Sequence, residues 1–96
     1  MKILKEAEFL TRGYVRKGGK TNRRQQRARI LAFAEFCAKQ GLNSPGQIGR
    51  AQVIAYWRET RHLSDTTRYS HWRALVTLWE LSGKPGEPPR PNKLSE

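Results

Sequence analysis

Acidic side chains are scarce in this chain. Eight Asp and Glu stand against nineteen Lys and Arg in 96 residues, a formal charge of +11. That is far beyond what solubility requires, and it opposes compaction through self-repulsion. A polyanionic partner is the simplest reason to carry it. Cysteine is nearly absent: Cys37 stands alone, so no intrachain disulfide can form and nothing implies oxidising secretion. Histidine is limited to His62 and His71, too few without a cysteine pair for a zinc site. No window approaches the ~18 apolar residues of a membrane span. Met1 to Phe9 mixes Lys and Glu with its apolar residues, unlike a signal peptide. Also missing are a Ser-His-Asp grouping, a paired carboxylate cluster and a phosphate-cradling glycine loop, since Gly18-Gly19 lacks the strand such loops follow. The expectation is a cytoplasmic, nucleoid-associated protein that is not an enzyme. It should have no metal, cofactor, small-molecule substrate or membrane contact.

Apolar residues recur at helical spacing in four places, and nothing alternates with the period of two that marks strands. The fold class expected is all-α, with four helices. The first runs from about Lys2 to Val15, with Ile3, Ala7, Leu10 and Tyr14 as its buried stripe. Gly18 and Gly19 end it or link it onward. The second is capped by Thr21 or Asn22 and continues to Gln40, where Gly41 suits the C′ position. Ile30, Phe33, Ala34 and Cys37 form its core face. A turn at Asn43-Ser44-Pro45-Gly46 and an apolar anchor at Ile48 precede a short third helix, about Arg50 to Arg61, burying Val53, Ile54 and Trp57. Ser64 or Asp65 caps a fourth helix reaching to about Leu81 and closed by Gly83, with Tyr69, Trp72, Leu75, Val76 and Trp79 on one face. The three tryptophans fall at core spacing. Proline-rich residues 84–96 should be an extended, flexible tail or linker outside a single domain of residues 1–83.

The charge is uneven. Residues 1–40 hold eleven basic and three acidic side chains, and eight cations from Arg12 to Arg29 have no acid between them. On a helical wheel Arg23 and Arg27 share the side of Ile30, Ala34 and Cys37, so a core stripe turns into an arginine stripe toward the N-terminus. Such a helix would push its basic half beyond the core, where arginines reach phosphates or base edges. Arg16, Lys17, Lys20, Asn22, Arg23, Arg24 and Arg27 are the candidates there. On the fourth helix Thr66, Ser70, Arg73 and Thr77 form a polar stripe of short hydroxyls around one arginine, which allows close approach to a groove. Thr67 and Arg68 lie in its first turn, where the positive helix end favours phosphate. A solvated surface is the plain alternative for either group.

The order of these features resembles the N-terminal, SAM-like core-binding domain of the tyrosine recombinases, the phage integrase family. The counterparts are Glu8-Phe9-Leu10 in the leading helix, Arg27 to Phe36 carrying I-L-A-F-A-E-F, Gly41-Leu42, Ile48, and Val53 to Trp57 reading V-I-A-Y-W. Leu63-Ser64-Asp65-Thr66-Thr67 and Arg73 to Trp79 complete a pattern that spans nearly the whole chain. The resemblance implies a four-helix SAM-like bundle that clamps duplex DNA with its second and fourth helices. It also implies a role in recombination or integration of a mobile element. Family members carry a separate catalytic domain with a nucleophilic tyrosine, and this sequence has no counterpart of it. None of Tyr14, Tyr56 or Tyr69 sits in such a context. Either an excised fragment or a free-standing domain that binds DNA without cutting would fit, the latter slightly better. A different expectation is an adaptor docking on a recombinase or other DNA-bound protein of the same element, or a small DNA-binding regulator. RNA binding would call for exposed aromatics, which the core spacing does not offer.

Overall fold

A computed structural model describes residues 2–16 and 20–91, without the side chain of Lys20. It contains four helices and, among the described residues, no strand: α1 (Lys2–Val15), α2 (Lys20–Lys39), α3 (Arg50–Glu59) and α4 (Asp65–Leu81). A single 3-10 turn, Pro45–Gln47, sits between α2 and α3. α2 is the central element, packed on α1 along one side and on α4 along the other.

Local chemistry sets the ends. α2 closes on Gly41, whose φ of 92° is open only to residues without a Cβ penalty. The amides of Gly41 and Leu42 return to the carbonyls of Ala38 and Cys37 at 3.0 and 3.1 Å, and Leu42 folds onto the core. Gly83 repeats the device after α4, with Lys84 N–H donating to Trp79 at 3.0 Å. Ser64 caps α4, accepting from the Thr67 amide at 3.2 Å. The glutamines hold the middle of the chain together. Gln47 Oε1 accepts from the Asn43 and Ser44 amides, and Gln52 Oε1 from the Gly49 amide. At the start of α2, neither Thr21 nor Asn22 is a cap. The helix already runs at Lys20, and both lie exposed in its first turn. The Gly18-Gly19 link falls outside the described residues.

The core gathers Ile30, Phe33 and Cys37 of α2, Val53, Tyr56 and Trp57 of α3, and Trp72, Leu75, Leu78 and Trp79 of α4, with Ile3 from α1 and Ile48 closing it. Three expectations need correction. α1 buries Ile3, Ala7 and Thr11, while Leu10 and Tyr14 are only half-buried. Thr11 tolerates burial because its hydroxyl donates to the Ala7 carbonyl at 2.8 Å, which satisfies the donor within the helix. Ile54 is half-buried, Tyr56 taking its place inside. Tyr69 is 49% exposed, because α4 turns Arg68 inward instead.

The expected free tail is the largest difference. Residues 84–91 bend at Pro85-Gly86, where Gly86 has a φ of 72°, and then lie against the bundle as a strap. The Trp57 and Trp72 indole N–H groups donate to the carbonyls of Pro89 and Pro88 at 2.8 and 3.0 Å. Proline-rich backbone has no internal hydrogen bonds, so its carbonyls are open to such donors. The Arg90 guanidinium lies 4.4 Å from the Trp72 ring centroid. Lys84 Nζ sits 5.6 Å from the Trp79 ring centroid and donates to the Ile48 carbonyl at 3.0 Å. Pro88 and Pro91 are buried. A chain ending at Lys84 should lose about 2–4 kcal/mol of stability through the two indole hydrogen bonds and the apolar cover over both indoles. Urea unfolding measures it, and a loss under about 0.5 kcal/mol would show the strap to be inert.

Candidate nucleic-acid interface

Three arginines of the predicted interface are already engaged, two on α2 and one on α4. Arg27 crosses from α2 to α1, where Nε donates to Thr11 Oγ1 at 2.9 Å and Nη2 to the Glu8 carbonyl at 3.2 Å. Arg23 donates to the Tyr14 carbonyl at 3.1 Å, with its guanidinium 4.5 Å from the Tyr14 ring centroid. Both are half-buried. The arginine stripe therefore does not project past the core. It continues the packing face of α2 by other means, using carbonyls and an aromatic ring where the apolar half uses side-chain contact. Within the basic run from Arg12 to Arg29, the described cations that face solvent are Arg24, Arg16 and, beyond the predicted set, Arg12. Asn22 is exposed beside them in sequence, while Lys17 and the side chain of Lys20 fall outside the described residues.

On α4, Thr66, Thr67 and Arg73 are exposed and Ser70 and Thr77 half-buried. Ser70 donates to the Thr66 carbonyl at 3.2 Å and Thr77 to the Arg73 carbonyl at 3.3 Å. In this state those two hydroxyls offer lone pairs outward, and donating to a phosphate requires rotating away from the helix. Thr67 differs. Its Oγ1 accepts from Ser64 at 2.9 Å, which leaves its own proton available. Arg68 departs most from expectation: it is 6% exposed and its Nη2 donates to the Trp57 carbonyl at 2.9 Å. The spacing from Arg68 to Trp72 and Leu75 puts it on the core side of the wheel, the sequence signal that goes with its burial.

Among the described residues the one ion pair is Lys39–Glu35, at 3.6 Å and exposed. Arg12, Arg16, Arg24 and Arg73 thus carry charge without a carboxylate partner. Two aromatics also face solvent, Phe9 at 72% and Tyr69 at 49%, where core spacing had suggested none. The three tryptophans are buried as expected.

The remaining chemistry-bearing groups are quiet. Cys37 is buried, and desolvation pushes its thiol up to about 12, so it behaves as a small apolar side chain. Burial likewise raises Tyr56, with Cys37 beside it adding to the shift. No group of three or more potential metal ligands occurs among the described residues, and none of the helices is long and apolar enough to cross a membrane. His71 sits between elements, 6.1 Å from the Tyr56 ring and with a covered Nδ1 that has no hydrogen-bond partner. Desolvation, and secondarily the charge of Arg29, lowers its pKa.

No family model matches this chain, and neither does a curated protein or a solved structure. Any functional reading therefore rests on the residues themselves.

Arg27→Ala should destabilise the fold by about 1–3 kcal/mol, since it leaves Thr11 Oγ1 and the Glu8 carbonyl without their donor, whereas Arg24→Ala should stay within about 0.5 kcal/mol. Equal effects in chemical denaturation would contradict the engaged and free assignments. For His71, the folded state favours the neutral ring while the unfolded chain protonates near its ordinary value. Stability is then complete above about pH 6.5 and declines as pH falls below it. His71→Gln should flatten that part of the profile of thermal midpoint against pH, and an unchanged slope would remove His71 as its cause.

Proposed function

We propose that this chain binds duplex DNA as an integrase-type core-binding domain, serving recombination or integration of a mobile element. The observation that carries the reading is the exposed, carboxylate-free set Arg12, Arg16, Arg24 and Arg73, the last flanked by Ser70 and Thr77 on α4. Guanidinium groups release counterions from phosphates and read guanine edges, and short hydroxyls let a helix come close to the duplex. The resemblance of the sequence to integrase core-binding domains supplies the biological setting, and the all-α architecture is compatible with it. Arg23 and Arg27 act indirectly in this reading, holding α1 and α2 together so that Arg12, Arg16 and Arg24 share one scaffold. No catalytic group is assigned, so the contribution to recombination is binding.

A second reading, an adaptor that docks on another protein, is favoured by one specific feature. Phe9 borders a cleft of about 500 Å³ lined also by Leu10, Pro45 and Leu81, with Lys2, Lys5 and Lys84 against the single acid Glu6 around it. An apolar segment flanked by acids would suit that cleft.

Duplex affinity measured across salt concentrations separates the two. Log affinity should fall linearly with log salt, and each of Arg12→Ala, Arg16→Ala, Arg24→Ala and Arg73→Ala should reduce the steepness by about 0.9 for each phosphate it ceases to neutralise. Absence of binding at low salt overturns the duplex reading. A protein complex that persists at high salt and is abolished by Phe9→Asp would establish the adaptor instead.

A further inference from the structure

Where α4 begins, the strap and the helix enclose a cleft of about 370 Å³ lined by Asp65, Thr66, Arg68, Tyr69, Arg90 and Pro91. Arg68 is the unusual member. It is 6% exposed, it forms no ion pair, and its Nε is buried without any hydrogen-bond partner. Its single acceptor, the Trp57 carbonyl, lies in the last turns of α3, where the helix dipole offers partial negative charge but not a counter-ion. A guanidinium does not shed its proton at any ordinary pH, and burying one without an anion is costly. A second guanidinium, Arg90, is exposed on the same cleft with one face against Trp72. The N-terminus of the 17-residue α4 adds its positive end. The one acid in the lining, Asp65, is exposed and pairs with neither arginine.

We propose that this cleft is a phosphate seat. Arg68 supplies the buried charge, Arg90 closes on the anion from the strap, and the first turn of α4 completes the field. The open fork of Arg90, with the charge of Arg68 behind it and one Arg68 nitrogen already given to the Trp57 carbonyl, suits the several acceptor oxygens of a phosphate better than the two of a carboxylate. Inorganic phosphate, a small phosphate ester and a nucleic-acid backbone all present this group, and the chemistry of the seat is the same for each. It stands independently of duplex binding through Arg12, Arg16, Arg24 and Arg73.

The test is the thermal midpoint of the full chain at neutral pH in inorganic phosphate at tens of millimolar, against chloride of equal ionic strength. A rise of roughly 4–8 °C is expected, as for a ligand that binds only the folded state. Arg90→Gln should abolish the rise, while Arg58→Gln, exposed on α3, should keep it. Thr66→Glu, which brings a carboxylate into the cleft without touching the strap, should raise the midpoint in chloride and remove the further gain from phosphate. No rise in phosphate, or a rise that survives both Arg90→Gln and Thr66→Glu, overturns the seat. Duplex affinity identifies the source. A salt slope reduced by about 0.9 in Arg90→Gln, with inorganic phosphate competing, places a backbone phosphate in the seat. An unchanged slope with the thermal effect intact places a free phosphate or small ester there. A thermal effect without duplex binding leaves the seat standing and removes the duplex reading.

Discussion

Arg27 reaching from α2 to Thr11 and the Glu8 carbonyl is the contact on which the arrangement of the first half depends. α2 has one packing face, apolar from Ile30 to Cys37 and basic at Arg23 and Arg27. An arginine on a packing face is tolerable only where its donors are met, and here α1 meets them with a buried hydroxyl, two carbonyls and a tyrosine ring. Thr11 is the hinge of this arrangement, donating to its own helix and accepting from Arg27. The same contacts commit two cations to structure and, by fixing α1 on α2, leave Arg12, Arg16 and Arg24 facing outward without carboxylates.

The second half depends on tryptophan. Three indoles in a domain of this size supply much of the apolar area, but each also carries an N–H that must be met when buried. For Trp57 and Trp72 the acceptors are Pro89 and Pro88, so the strap completes the core rather than hanging from it. It also carries Arg90 to the start of α4, beside the buried Arg68. Core closure and charge placement are therefore coupled through one short extended segment, and loosening it would disturb both.

Much of the helical layout was readable from residue order. Period and punctuation place helices at about Lys2–Val15, Arg50–Arg61 and from Ser64 or Asp65 to Leu81, against the observed Lys2–Val15, Arg50–Glu59 and Asp65–Leu81, with Ser64, Gly41 and Gly83 at the boundaries, because caps and left-handed glycines are local chemistry. The errors share one cause. Spacing points Leu10, Tyr14, Ile54 and Tyr69 to the interior, yet spacing gives the side of a helix and not how far a neighbour covers it. Thr11 and Arg68 enter the core only because partners wait there: the Ala7 carbonyl of its own helix and Arg27 of α2 for Thr11, the Trp57 carbonyl of α3 for Arg68.

For the candidate interface, the sequence determined the excess of positive charge, its concentration before residue 40 and the hydroxyl stripe of α4, all of which are properties of residue type and order. It also determined an all-helical chain, since the apolar period admits no strand. Only the tertiary structure decided which cations are free. Arg23, Arg27 and Arg68 are bound to carbonyls of other elements, while Arg90, in a segment that reads as disordered from composition, is folded against Trp72. The physical reason is that a guanidinium's availability depends on the acceptors within its reach, and those are set by how the helices meet.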